Sequence, residues 1–306
     1  MIVFATSDKG GTGRSVTSCN VAYRRAMQGS DVCYLDFDFG SPTSGAIFGV
    51  EAAGQGTPTG RGLHTYLAGG TAEVEQFDVW TQSTLGGGWA RPLGAGRLTL
   101  LPGDAGGGEF PVNKQMIRRC TDLFLSLDEE FELTLVDLSA GRSYATELVL
   151  RATADPVLAA KTTRWLVFHR WTRQHIVAAS GLVHGTQGIL ETGAEYGHRK
   201  PDLEDGIRFV RTAVLEPESP QLASLRPEQS VWLQSYDIDL QRLAGKMRLG
   251  SSLMIGSIPL DPVLQWREQI IVEDDISTTR IANAETGQAF EALAERLTDK
   301  SLWEGL

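Results

Sequence analysis

Three short stretches of the chain carry residue types suited to handling a polyphosphate. The first, Lys9-Gly10-Gly11-Thr12-Gly13-Arg14-Ser15, follows the apolar run Ile2–Ala5 and precedes a helical pattern. Glycines at such a turn let consecutive backbone N–H groups point inward around phosphates, and the helix N-terminus adds partial positive charge. Gly10, Gly11, Thr12 and Gly13 would form that cradle, with Arg14 supplying a cation. Ser15 stands where a hydroxyl would coordinate Mg2+. The second stretch sets Asp36 and Asp38 two residues apart after Val32–Leu35. Carboxylates at the C-terminal end of a parallel strand sit beside a bound nucleotide. In the third, Leu133–Val136 runs into Asp137, with Gly141 four residues on. Plainer uses exist for each: a glycine-rich turn that binds nothing, or aspartates that cap turns before Gly and Pro.

Short apolar runs alternate with amphipathic stretches along the chain and must position these residues. Strands are expected at Ile2–Ala5, Val32–Leu35, Leu98–Leu101, Leu133–Val136, Trp165–Phe168, Ile207–Leu215 and Leu253–Ile258. Most are apolar on both faces, as in a parallel sheet covered by helices on each side. Helices are expected at about Ser15–Gln28, with Gly29 as its C-cap, and at Lys114–Leu127, Ser143–Arg151, Trp171–Val183, Gln229–Leu249 and Asn283–Leu297. This alternation predicts a doubly wound, mostly parallel α/β sheet of about seven or eight strands, in one domain spanning 1–306. Loop insertions are expected near 51–96, a glycine-rich mobile region with one short helix at Leu63–Leu67, and near 184–206.

The loop Lys9–Ser15 resembles the deviant Walker A motif K-G-G-x-G-K-[ST] of the ParA/MinD/Mrp group of P-loop ATPases, in the SIMIBI class. Two residues depart from the general P-loop pattern: Asp8 replaces its first glycine and Arg14 its lysine. The resemblance implies that Lys9 reaches across an ATP-dependent homodimer to the partner's nucleotide. Asp36-Phe37-Asp38-Phe39-Gly40-Ser41-Pro42 is similar to the group's switch I segment. It implies that Asp38 positions the attacking water and that Asp36 supports the hydration shell of Mg2+. Asp137–Gly141 is similar to Walker B and switch II, which implies water-mediated Mg2+ binding by Asp137 and sensing of the γ-phosphate by the Gly141 N–H. Leu98–Leu101 with Pro102-Gly103 matches a further strand of the group. Ile255-Gly256-Ser257-Ile258-Pro259-Leu260-Asp261 resembles its G-x-I-P-x-D segment, which implies that backbone at Pro259 lies near the base. The group's asparagine after the preceding strand is missing, since Phe209-Val210-Arg211-Thr212 stands there, and no T-K-x-D element for guanine is present.

The whole chain sets limits on partners. Its 306 residues carry a formal net charge of -10, which excludes a broad electrostatic grip on nucleic acid but leaves room for a local basic patch. Lys161–His175 is such a stretch, with Lys161, Arg164, His169, Arg170, Arg173 and His175 around Trp165 and Trp171. It reads either as a DNA or partner dock or, preferably, as a core strand with a solvated helix face. Cys19, Cys33 and Cys120 lack metal-ligand spacing, and the five histidines show none either. Few cysteines, no basic leader and no run of roughly 20 apolar residues predict a cytoplasmic protein. Near the end, Phe290, Leu293 and Leu297 form an apolar stripe with Trp303 and Leu306 beyond. The acidic Glu291, Glu295, Asp299 and Glu304 outnumber Arg296 and Lys300, which suits a packed helix rather than a membrane anchor.

The resulting expectation is an ATP-binding, ATP-hydrolysing dimeric switch, slow and partner-stimulated, that positions or regulates a protein partner with ATP and Mg2+ as ligands. One alternative keeps nucleotide binding and loses turnover because Arg14 replaces lysine, leaving a nucleotide-dependent scaffold. Another, a small-molecule ligase or kinase of the dethiobiotin-synthetase type, fits Lys9 and the Asp36/Asp38 pair less well.

Overall fold

The computed structural model of the protein describes residues 1–84, 90–215, 222 and 225–303. Its apolar runs form β1 (Ile2–Thr6), β2 (Val32–Phe37), β3 (Phe77–Asp78), β4 (Leu98–Leu101), β5 (Leu133–Leu138), β6 (Thr163–Arg170), β7 (Ile207–Val214) and β8 (Met254–Pro259). They make one eight-stranded sheet in the order β3-β4-β2-β5-β1-β6-β7-β8. Every pairing is parallel except that of β3, which runs antiparallel along the edge. The doubly wound sheet expected from the sequence is thus present, and seven strands fall on the expected runs.

Alternate residues of the strands enter two cores, one on each face of the sheet. Ile2, Phe4, Leu35, Phe37, Val136, Trp165 and Phe209 meet the helices Lys114–Glu130, Tyr144–Thr153 and Arg173–His184. Val3, Ala5, Tyr34, Leu135, Leu166 and Val210 meet the helices Arg14–Met27 and Ala284–Thr298. Phe290, Leu293 and Leu297 are buried in that second core, so the C-terminal helix spends its apolar stripe on the protein itself. Glu304 and Leu306 lie outside the described residues. No helix among the described residues is long and apolar enough to cross a membrane.

The two loop regions are more structured than their composition suggests. In 51–96 the short helix Leu63–Leu67 is found as expected, and Trp80 is buried with its indole N–H donating to the Gly96 carbonyl at 2.9 Å. Asp104 fastens this segment, its carboxylate accepting from the backbone N–H groups of Gly62 at 2.8 Å and Thr65 at 2.7 Å. The stretch 184–206 holds two helices, Ile189–Glu195 and Lys200–Asp205, whose Ile189, Leu190 and Leu203 join the first core.

One buried histidine gives the fold a pH signature. His169 on β6 is 1% exposed, packs against Trp171 and Phe209, and among the described residues has no partner for Nε2. Burial, with Arg211 nearby, depresses its pKa to about 4. The unfolded chain therefore binds more protons below the usual histidine pKa, and stability is lost as pH falls from there through about 4. His169→Phe is expected to remove that limb, worth about 3 kcal/mol. The Arg170 carbonyl would still accept from the Thr172 N–H at 2.8 Å. Denaturant unfolding of both proteins across this pH range, with equal slopes for the two, would refute this.

Candidate functional site

The site forms where three strand ends meet. β5 lies between β1 and β2, with Asp137 in register with both Ala5 and Asp36. The chain thus winds outward on both sides of β1, the crevice at which open α/β sheets bind ligands. From β1 the loop Ser7–Gly13 delivers the helix Arg14–Met27, whose N-cap is Gly13 at φ 75°. Gly11 also lies in the left-handed region, at φ 69°, which favours glycine. A Cβ added at Gly10 or Gly11 would meet no heavy atom within 4 Å, so the loop has open space along it. The Thr212 hydroxyl at the end of β7 donates to the Thr12 carbonyl at 2.5 Å and ties the loop to the far half of the sheet.

Arg14 gathers the acidic strand ends. Its Nε donates to Asp137 Oδ1 at 2.5 Å, and its Nη2 donates to Asp38 Oδ2 at 2.8 Å and to Ser15 Oγ at 3.2 Å. Arg14 and Asp137 are almost fully buried, whereas Asp38 is 26% exposed. Burial pushes the Asp137 carboxyl above its usual range, opposed by Arg14 and the Ser15 hydroxyl. The two carboxylates outweigh the burial of the guanidinium and raise its pKa further.

Asp36 does a different job. Its Oδ2 accepts from the Ser44 N–H at 2.9 Å and the Ser44 hydroxyl at 2.6 Å, and its Oδ1 accepts from the Asp38 N–H at 3.2 Å. Burial and the nearby Asp137 charge push it up to about 7. Asp36 thereby pins both ends of the turn 38–44. Ser139 fastens the same turn to β5, accepting from the Phe39 N–H at 3.1 Å. Gly141, at φ 79°, donates its N–H to the Ser7 carbonyl at 2.7 Å, and Arg142 pairs with Asp8 at 3.3 Å. The glycine loop with Arg14, the 38–44 turn and the 139–142 turn are therefore mutually hydrogen-bonded.

Lys9 is half-buried and makes no ion pair or side-chain hydrogen bond among the described residues. Pro259 lines a cavity of about 450 Å³ with Gly11, Gly13, Thr17, Thr212 and the exposed Trp266. That cavity adjoins the glycine loop.

A nucleotide's phosphates fit the loop, because open glycines and a helix N-terminus meet there. A divalent cation does not fit the donors expected to hold it. Asp137 and Ser15 both face the Arg14 guanidinium, and the Asp36 oxygens are taken up by Ser44 and the Asp38 N–H. Sequence spacing brought the right strand ends together but left out Arg14 as their bridge, Ser44 as the partner of Asp36, and Thr212. Only the hydroxyl of Thr212, standing where the related group has asparagine, was a visible cue.

The basic stretch Lys161–His175 is divided by the fold. Trp165 and Phe168 are core residues of β6, and Arg164 is buried against the Trp303 ring. Lys161 pairs with Asp128 at 2.9 Å, and Trp171 donates to Asp237 at 2.6 Å while Arg211 stacks on its ring. Arg173 is exposed on the helix that follows, whereas Arg170 is half-buried at the end of β6 rather than on that helix face. This matches the core-strand reading of the segment.

Sheet order, the glycine loop at the head of its helix and the acidic strand ends make an architecture of the P-loop type. Within that class the chain has the fold of the MinD and ParA ATPases. The cell division ATPase MinD of Pyrococcus furiosus aligns over 97% of both chains with a TM-score of 0.58 and 18% identity. The septum site-determining protein MinD of Pyrococcus horikoshii, complexed with Mg-ADP, covers 98% of this chain and 96% of its own, with a TM-score of 0.58 and 17% identity. A putative plasmid partition protein of Borrelia burgdorferi bound to AMPPNP covers 98% of both, with a TM-score of 0.56 and 12% identity. No protein-family model matches the sequence. No curated protein matches it.

Proposed function

We propose that the protein is an ATP-binding, ATP-hydrolysing homodimeric switch that positions or regulates a protein partner. The observation that carries this is the open glycine loop at the head of the helix Arg14–Met27, set beside Asp38 and Asp137 and fastened to both turns that follow them. The adenine nucleotides in similarly folded proteins support ATP as the ligand. Gly10–Ser15 would hold the phosphates and Pro259 would border the base. Asp38, with one carboxylate oxygen not engaged by Arg14, would orient the attacking water. A γ-phosphate at the loop would compete for the Gly141 N–H now given to Ser7, so the 139–142 turn would report its presence.

Lys9 is the residue left free to act outside its own subunit. Lys9→Ala is expected to bind ATP within about threefold of the parent and to stay monomeric, whereas the parent dimerises with ATP or a slowly hydrolysed analogue but not with ADP. Light scattering and phosphate release with each nucleotide, with and without DNA, test this. A parent chain that stays monomeric at saturating ATP would sink the dimeric switch.

A further inference from the structure

A lysine at the position of Arg14 would be a single compact charge, whereas arginine is a planar fork that can serve two acceptors at once. Here that fork spans two strands. Nε reaches Asp137 on β5, and Nη2 reaches both Asp38 beyond β2 and the Ser15 hydroxyl beside it. Asp137 and Ser15 are two of the three groups expected to face a divalent cation at the loop, and the third, Asp36, is held by Ser44 and the Asp38 N–H. Arg14 is 6% exposed and Asp137 1%, so the arrangement is not a surface pairing that water could readily replace.

A second cation cannot simply be added. Two like charges a few ångströms apart repel strongly at a protein's effective dielectric, and a divalent ion doubles that repulsion. Seating the ion would require the guanidinium to leave both carboxylates while remaining close by. The guanidinium already supplies positive charge, a fixed geometry and hydrogen bonds to the same oxygens, and it does so from inside the chain.

We propose that the Arg14 guanidinium takes the place of the divalent cation at this phosphate loop, so that nucleotide binding is independent of Mg2+. The inference rests on the nucleotide-binding reading above and deepens it. It also assigns Asp38 and Asp137 a common partner in the protein rather than in the ligand. Lysine at position 14 would reach one carboxylate with one charge and leave the other open, restoring a use for the metal.

The test is equilibrium binding of ADP, by calorimetry or with a fluorescent analogue, in excess Mg2+ and in excess EDTA, for the parent chain and for Arg14→Lys. The parent is expected to show the same Kd in both conditions within about twofold, and Arg14→Lys to bind at least about tenfold more tightly with Mg2+. Parent binding that EDTA abolishes overturns the inference and leaves the nucleotide reading standing. Metal-independent binding by both proteins overturns the role given to arginine. Absence of ADP and ATP binding by the parent in either condition overturns both readings. The comparison on the parent chain needs no variant, so the inference can fail even if Arg14→Lys folds poorly.

Discussion

Arg14→Met is expected to destabilise the fold by about 3–5 kcal/mol, the usual cost of removing one member of a buried ion pair. Methionine keeps an unbranched apolar stem and removes the charge, leaving Asp137 buried with only the Ser15 hydroxyl to offset its charge. For a chain of this length the loss corresponds to a fall in Tm of roughly 5–8 °C. The pH dependence has a definite sign. Burial already raises the Asp137 pKa, and losing the guanidinium raises it more, so the folded variant binds more protons than the unfolded chain. Its stability then falls as pH rises above the ordinary aspartate pKa. The deficit relative to the parent is therefore larger at pH 8 than at pH 5. Adding Asp137→Asn should recover more than half of the loss, because the unpaired charge is then gone. Urea unfolding of the two single variants and the double variant measures the coupling directly. A cost below about 1 kcal/mol for Arg14→Met would show that the bridge does little for the fold.

Strands buried on both faces were legible because they read as unbroken apolar runs, and seven of the eight follow from that rule. β3 was not, since two residues, Phe77 and Asp78, are too few to display a period. The same limit hid the helices Ile189–Glu195 and Lys200–Asp205, whose buried Ile189, Leu190 and Leu203 are scattered among polar neighbours. At the site, spacing along the chain brought Lys9–Ser15, Asp36, Asp38 and Asp137 to one end of the sheet. It did not give the partners of the side chains. Asp36 and Asp38 look equivalent in the sequence, yet β2 ends at Phe37, so Asp36 stays in the strand and meets Ser44 while Asp38 lies in the turn beyond and meets Arg14. The reach of a guanidinium across two strands depends on sheet order, which places β5 between β1 and β2 although it follows both in the chain.

The other large effect is expected at Gly11. Its φ of 69° and that of 75° at Gly13 turn the loop twice through the left-handed region before the helix Arg14–Met27 begins. An L-residue there costs about 1–2 kcal/mol, and a β-branched one more. Nothing lies within 4 Å of a Cβ at Gly11, so the penalty is conformational and the loop can relieve it by changing shape. Relief turns backbone N–H groups away from the phosphates, which makes binding far more sensitive than folding. Gly11→Val is expected to weaken ADP binding at least about 100-fold, or ~2.7 kcal/mol, while unfolding free energy falls by only about 1–2 kcal/mol. Gly10→Ala, at a position outside the left-handed region and equally open, should leave stability within about 0.5 kcal/mol of the parent. Thermal unfolding and ADP titration of the same preparations separate the two effects. Parent-like affinity in Gly11→Val would mean that the phosphates are held elsewhere, and the loop would then be only a glycine-rich turn from β1 into its helix.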